Sequence, residues 1–284
     1  MWSSIRELFA AGERDAAGRP IVTLAGALKH GWLEVWYQPK VALRDNRLIG
    51  AEALIRVRHP ELGVLGPSAF LPEACEEAVL ALTELVIAAA LRDWQTCASA
   101  GAPHIVLSVN VPAFAFAKMP IGRIIREERP KAANWPGLIL EVTEDQVVND
   151  LKIANEVARE LRAQNCSLAI DDFGAGYSSL ARLRELPFSE LKIDRAYVSA
   201  CDRDRVSAGV LESIVELARR FNLRTVAEGI ETTYESHRLQ GLGCAVGQGF
   251  LFAKPMAKPD FMATIERHTG VRAGEPRRWF AARP

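Results

Sequence analysis

Two adjacent carboxylates, Asp171 and Asp172, close an apolar run, Leu168 to Ile170, and are followed by a loop carrying Gly174 and Gly176. The run reads as a buried strand, and Ser178 to Arg184 beyond the loop as a helix. Neighbouring side chains on a strand point to opposite faces, but where the backbone bends at its end both carboxylates can converge on one centre. Charges that close repel unless a cation or a shared proton compensates them. The stretch therefore suggests a metal held at a strand's C-terminal end, against the plainer reading of a helix N-cap and a turn. Related residues stand in or at the ends of the other apolar runs: Glu52, Asn110, Glu141, Lys192, Glu228 and Gln248. Carboxylate and amide oxygens without a His or Cys cluster suit Mg2+ or Mn2+ rather than Zn2+. The carboxylates exceed what one Mg2+ needs, and two ions about 3.5–4 Å apart can clamp the attacking and leaving oxygens of a phosphoryl centre. Each residue has a structural alternative. Asn110 precedes Pro112 as a turn residue would, Lys192 could pair with Asp194, Glu228 and Glu231 could be a first-turn helix pair, and Gln248 could be a loop residue. Their recurrence at nearly every strand favours a site.

The elements that must position these residues alternate. Ile21 to Lys29 reads as a helix ended near Gly31. Leu33 to Gln38 reads as a strand closed by Pro39, and Leu48 to Arg56 as a second, joined to it by the turn Arg44 to Arg47 as a hairpin. Further strands are expected at Ile105 to Val109, Leu138 to Val142, Leu191 to Ile193 and Thr225 to Ala227, with a last one at Gln248 to Phe252. Helical spacing covers Glu73 to Ser99, Ile121 to Glu128, Val147 to Gln164, Val206 to Phe221, Glu235 to Gln240 and Lys258 to His268. Alternation of this kind implies a parallel sheet, and roughly eight such units favour a (β/α)8 barrel, whose strands present their C-terminal ends at one mouth. No GxGxxG or GxxxxGK[ST] follows a strand, so dinucleotide and P-loop readings have no support.

Composition narrows the classes. The 35 basic and 35 acidic side chains balance, which argues against a broad nucleic-acid footprint on a DNA or RNA duplex but not against a small anionic ligand. The cysteines (Cys75, Cys97, Cys166, Cys201, Cys244) are odd in number and lack CxxC spacing, as in a reducing compartment, with the cytoplasm as the expected location. The most apolar run, Ala78 to Leu91, is interrupted by Thr83 and Glu84 and reads as a core helix rather than a membrane span. Residues 1–20 are expected to be an extension or linker with a short amphipathic register at Trp2, Ile5, Leu8 and Phe9. Residues 269–284 are expected to be a tail.

Gly50-Ala51-Glu52-Ala53-Leu54-Ile55-Arg56 resembles the signature of EAL-domain cyclic di-GMP phosphodiesterases. Supporting segments are Tyr37-Gln38-Pro39, Ser108-Val109-Asn110-Val111, Glu141-Val142-Thr143-Glu144, Asp171-Asp172-Phe173-Gly174, Leu191-Lys192-Ile193-Asp194-Arg195, Ala227-Glu228-Gly229-Ile230-Glu231 and Gln248-Gly249-Phe250. A lone Glu-Ala-Leu would carry nothing; the ordered set is specific, and it places the domain at residues 21–268. The resemblance implies an α/β fold, a modified TIM (β/α)8 barrel with an antiparallel first strand, in agreement with the hairpin. It also implies hydrolysis of cyclic di-GMP to linear pGpG with two Mg2+ or Mn2+ ions. By matching motif, Glu52, Asn110, Glu141 and Asp171 would hold the first ion, with Asp171 bridging to a second served by Asp172 and Glu228. Lys192 would hold the attacking water, with Glu228 the usual candidate for general base, and Gln38, Leu54, Arg56, Glu231 and Gln248 would line the dinucleotide site. Phe173 to Leu180 resembles the loop that couples the metal centre to dimer contacts, and Glu144 the residue that anchors it.

Four positions depart from the family's habit: Val57 for Trp, Gly66-Pro67 for a polar-Pro pair, Ala245 for Asp and Phe250 for Tyr. None is a ligand position, so they bear on substrate affinity and dimer geometry. A homodimer is expected, with an upstream sensory domain or a protein partner as the source of input, since residues 1–19 are too few for a sensor. The alternative is a catalytically silent cyclic di-GMP receptor that signals through a partner; such receptors lose metal ligands, and none is lost here. A scaffold that binds no nucleotide is opposed by Arg56 and the Asp171-Asp172 pair.

Overall fold

Strand pairing in the computed structural model closes a ring. The structure describes residues 21–143, 151–173, 187–199, 201 and 203–269. The strands are β1 (Leu33–Ala42), β2 (Arg47–His59), β3 (Gly63–Leu65), β4 (Val106–Asn110), β5 (Leu138–Thr143), β6 (Ser167–Phe173), β7 (Phe188–Ile193), β8 (Arg224–Ala227), β9 (Val246–Gly247) and β10 (Met256–Ala257). Their order runs β1-β9-β8-β7-β6-β5-β4-β2, and β2 returns to β1, which makes an eight-stranded barrel with β3 and β10 as appendages on β2 and β1. In the ring, β1 alone is antiparallel to its neighbours β2 and β9. The other pairings, β2–β4 through β8–β9, are parallel.

Local chemistry explains most boundaries. Helix α1 (Leu24–His30) begins where the Thr23 hydroxyl accepts from the Gly26 amide and ends at Gly31 with φ 68°. The strand of five buried residues and Thr143 in β5 fits a parallel strand covered on both sides. Helix α2 (Glu76–Ser99) turns Leu82, Val86, Ile87, Ala90, Leu91 and Trp94 into the core. Asp204 caps Arg205–Arg220, and a reciprocal Thr232–Glu235 capping box opens Thr233–Leu242. Two glycines are required by close approach. A Cβ at Gly50 would stand 2.5 Å from the Val106 carbonyl oxygen, and one at Gly249 within 2.3 Å of the Ile230 backbone.

The structure corrects several expectations. Pro39 does not close the first strand: β1 continues to Ala42, with a register shift between Lys40 and Val41. This is possible because proline lacks only the donor and a bulge follows it. The eighth strand is Val246–Gly247, not Gln248 to Phe252, which is a turn pinned by Ile230 N–H to the Gln248 carbonyl (3.1 Å) and Leu251 N–H to the Ile230 carbonyl (2.9 Å). The aromatic alternation there splits between solvent and core, with Phe250 53% exposed and Phe252 buried. Helix α1 starts at Leu24 rather than Ile21, and helix α2 at Glu76 rather than Glu73. The expected elements within residues 1–20, 144–150, 174–186 and 270–284 lie outside the described residues, and so do Glu144 and the loop after Phe173.

One buried polar tie fastens α2 to the barrel. Asp93 accepts from the Tyr37 hydroxyl at 2.5 Å and from Lys258 Nζ at 2.6 Å, and Phe261 stacks on Tyr37 with ring centroids 5.2 Å apart. Burial, and then the Asp93 charge, push the Tyr37 phenol far above its usual range. Asp93→Ala should lower stability in urea unfolding by about 1–3 kcal/mol, the cost of stranding a buried hydroxyl. Adding Tyr37→Phe should recover part of that loss; equal additive losses would show that the two groups are not coupled.

Candidate active site

Cross-strand register builds the site in the barrel mouth. Gln38 on β1 lies opposite Glu52 on β2, Glu52 beside Ser108 on β4, Asn110 beside Glu141 on β5, and Thr143 beside Asp171 on β6. Glu141 is followed in register by Ala169 and then Glu190. The methyl of Ala169 leaves room for Lys192, on the next inward position of β7, to reach across.

Lys192 is the hub. Its ammonium is buried and lies 2.7 Å from Glu141 Oε2, 2.9 Å from Asp171 Oδ1, 2.7 Å from Glu228 Oε1 and 3.8 Å from Glu52 Oε1. The pairing with Asp194 that the sequence allowed is not made. Asp194 instead caps Arg195–Val198 by accepting from the Ala196 amide at 2.8 Å. Around the hub, Asn110 Nδ2 donates to Glu52 Oε1 (2.8 Å), and Gln248 Nε2 donates to Glu52 Oε2 (2.7 Å) and Gln38 Oε1 (2.9 Å). Gln38 Nε2 in turn donates to the Ala253 carbonyl at 3.2 Å.

The two aspartates converge because β6 is irregular. The β6–β7 register shifts between Ile170 and Phe173, and Asp172 adopts a left-handed backbone with φ 54°. Its amide donates to Asp171 Oδ1 at 3.0 Å. One carboxylate oxygen each from Asp171, Asp172 and Glu228 then lies within 4.8 Å of the others.

Electrostatics follows from burying so many charges together. Burial pushes the Lys192 ammonium down, but Glu141, Glu228, Glu52 and Asp171 outweigh it and hold the group well above the usual lysine range. Burial likewise acts against the Glu141 charge, yet Lys192 and Lys40 prevail and keep its carboxyl well below the carboxylate range. Glu52 is raised, first by burial. Glu228 is pushed up to about 8, first by burial and further by Glu52 and Asp171 against the pull of Lys192. Asp172 is raised by burial and by Asp171. Proton-hungry carboxylates facing one another are what a divalent cation would relieve. The donor atoms are all oxygens. Glu228 Oε1 lies near Lys192 without hydrogen-bond alignment, and Gln248 Oε1 is buried without a partner. The residues present fit a hard divalent cation.

Leu54, Arg56 and Glu231 do not join this network. Leu54 lies opposite Trp36 and Arg56 opposite Glu34. The Arg56 guanidinium sits 5.9 Å from the Trp36 ring centre and donates to the Ile55 carbonyl at 2.7 Å. Glu231 pairs with Arg195 at 2.7 Å. They form a rim, with a cation and an aromatic ring beside the carboxylate floor. A separate cavity of about 750 Å3 lies at the starts of β7 and β8, lined by Ser189, Glu212, Arg219 and Arg224 among others. It is behind the barrel floor, where Arg224 pairs with buried Glu190, and away from the carboxylates.

Sequence reading missed Lys40. Its buried ammonium donates to Glu141 Oε1 at 2.5 Å and Ser108 Oγ at 2.8 Å. The signal was present: Lys40 stands two residues from Gln38, on the same face of any strand that survives Pro39.

The EAL domain family model matches residues 21–255, and the chain belongs to this family. It is 37% identical over 244 residues to MucR of Pseudomonas aeruginosa, named a bifunctional diguanylate cyclase/cyclic di-GMP phosphodiesterase, covering 85% of this chain and 36% of the relative. It is also 37% identical to the cyclic di-GMP phosphodiesterase RocR of the same organism, covering 85% of this chain and 62% of the relative. The chain thus spans less than two thirds of the length of these relatives. Among solved structures, the PaMucR phosphodiesterase in complex with c-di-GMP matches with a TM-score of 0.76 and 37% identity, covering 84% of this chain and 97% of that one.

Proposed function

We propose that this chain hydrolyses cyclic di-GMP to linear pGpG with two divalent cations, Mg2+ or Mn2+. The observation that carries the reading is the shared carboxylate, amide and ammonium network of Glu52, Asn110, Glu141, Asp171, Lys192 and Glu228 at one barrel mouth. The relatives named for this activity support it. Glu52, Asn110, Glu141 and Asp171 would hold one ion, and Asp171, Asp172 and Glu228 the other. When bound, such ions supply Lewis-acid charge to a phosphate and make water more acidic.

The chain's own residues supply the rest. Lys192 orients the attacking water by hydrogen bonding and offsets the charge that develops on the phosphate oxygens. Glu228, a carboxylate held near Lys192 and raised by burial, would take a proton from that water. Arg56 offers a planar fork to phosphate or a base edge. Gln38, Leu54, Glu231 and Gln248 complete the lining of the dinucleotide site. Ca2+ should inhibit, because its longer bonds and larger ligand number would spread the pair. A homodimer is part of this reading, with residues 173–180 linking its contacts to the second ion; a monomer of full specific activity in sedimentation would sever that link.

The five cysteines are free thiols. The cytoplasm is the working compartment in this reading. No helix among the described residues is long and apolar enough to cross a membrane. Input from an upstream sensory domain or a partner protein completes the proposal. Incubation with cyclic di-GMP and Mg2+ or Mn2+, with products separated by chromatography, is expected to yield pGpG. Binding without turnover would instead mark a receptor.

A further inference from the structure

Glu141 is gripped by two lysines that are not equivalent. Lys192, on Oε2, also faces Asp171 and Glu228, so an incoming cation that takes Oε2 leaves that ammonium other carboxylates. Lys40, on Oε1, hydrogen bonds to Glu141 and Ser108 alone among the described residues. It is 4% exposed and rises from the barrel floor just before the β1 register shift. Gly50 stands opposite it across the hairpin, where a Cβ would already strike the β4 backbone. Releasing Glu141 would leave that enclosed ammonium Ser108 as its hydrogen-bond partner, with Glu190 and Glu52 acting on it only through their charge.

Resting on the metal-dependent reading above, we propose that Lys40 sets the cation preference of the site by keeping Glu141 a one-oxygen ligand. Mg2+ and Mn2+ bind few ligands at short distances and take single carboxylate oxygens, whereas Ca2+ accepts six to eight oxygens and readily chelates both oxygens of a carboxylate. With Oε1 committed to Lys40, the second oxygen is withheld. Removing the lysine would free it and add one negative charge to the site, and both changes favour the larger cation. Lys40 is thus a positioning residue that acts through Glu141.

The test is calorimetric titration of the purified protein with each metal alone, comparing wild type with Lys40→Met and Ser108→Ala. Lys40→Met is expected to raise the Ca2+-to-Mg2+ affinity ratio by about tenfold or more, the effect of an added oxygen ligand. Ser108→Ala, which loosens the ammonium without removing it, should shift the ratio the same way by a smaller factor. It carries the test if Lys40→Met does not fold. General distortion of the site would weaken both metals together, so the ratio separates positioning from packing. A folded Lys40→Met with an unchanged ratio, or an unmoved ratio in Ser108→Ala where Lys40→Met fails to fold, overturns the inference while the metal-dependent reading stands. Wild type that binds no divalent cation overturns both.

Discussion

Lys192→Ala and Glu228→Gln are expected to lose more than about a hundredfold in turnover while holding cyclic di-GMP affinity within about tenfold. Both groups lie at the centre of the carboxylate floor, whereas Arg56 and Trp36 occupy the rim. Interactions made mainly in the transition state lower kcat without a matching loss of ground-state binding. Arg56→Ala should behave oppositely and weaken binding first. Affinities are to be taken in Ca2+, where binding without hydrolysis is expected. Calcium serves a second purpose for Lys192→Ala. Without the ammonium, Glu52, Asp171 and Glu228 face one another uncompensated while Glu141 keeps only Lys40, and breaking buried pairs of this kind costs about 3–5 kcal/mol in the cation-free protein. Cation binding should return much of that stability, visible as a metal-dependent rise in Tm larger than that of wild type. Wild-type turnover in both variants would remove Lys192 and Glu228 from the reaction even with the family assignment intact.

Glu52→Ala should reduce turnover by roughly three orders of magnitude, the scale of emptying a catalytic metal site. Glu52 is buried and accepts from both Asn110 and Gln248, so its loss removes one ligand and unties a second ligand, Asn110, and the site-lining Gln248. Gln248 Nε2 would keep Gln38 Oε1 as an acceptor and Asn110 lies at the exposed end of its strand, so the folding cost of untying them should be small beside the loss of turnover. Glu52→Gln keeps the shape and separates the two effects. It should fold close to wild type yet remain inactive, because an amide offers a cation no net charge. Near-normal turnover of either variant, or of wild type in excess chelator, would end the two-metal reading.

Several features of this protein are legible in the linear sequence because they depend on neighbours along the chain. Thr23, Asp204 and Thr232 start helices through their own side chains, a local signal that apolar spacing alone passed over in placing two of the starts at Ile21 and Glu235, and the mostly apolar run of β5 was legible as a strand. The turn at Arg44 to Arg47 and the antiparallel start of the barrel follow from the same local rules. The residue types that do chemistry, oxygen donors and one lysine at successive strand ends, were also in view, together with the family they belong to.

Other features depend on which strands become neighbours. Whether Asp171 and Asp172 converge or diverge was set by a register shift against β7 and a left-handed backbone at Asp172. Gln248 joined Glu52 across the barrel because Gly249 lets a turn lie against the Ile230 backbone, where alternation alone suggested a strand. Lys40 entered the site because β1 runs past Pro39 into a bulge, which brings it under Glu141. Closing the ring fixes inter-strand distances that no local pattern encodes, and only at those distances do two ammonium groups and five carboxylates meet in one candidate site.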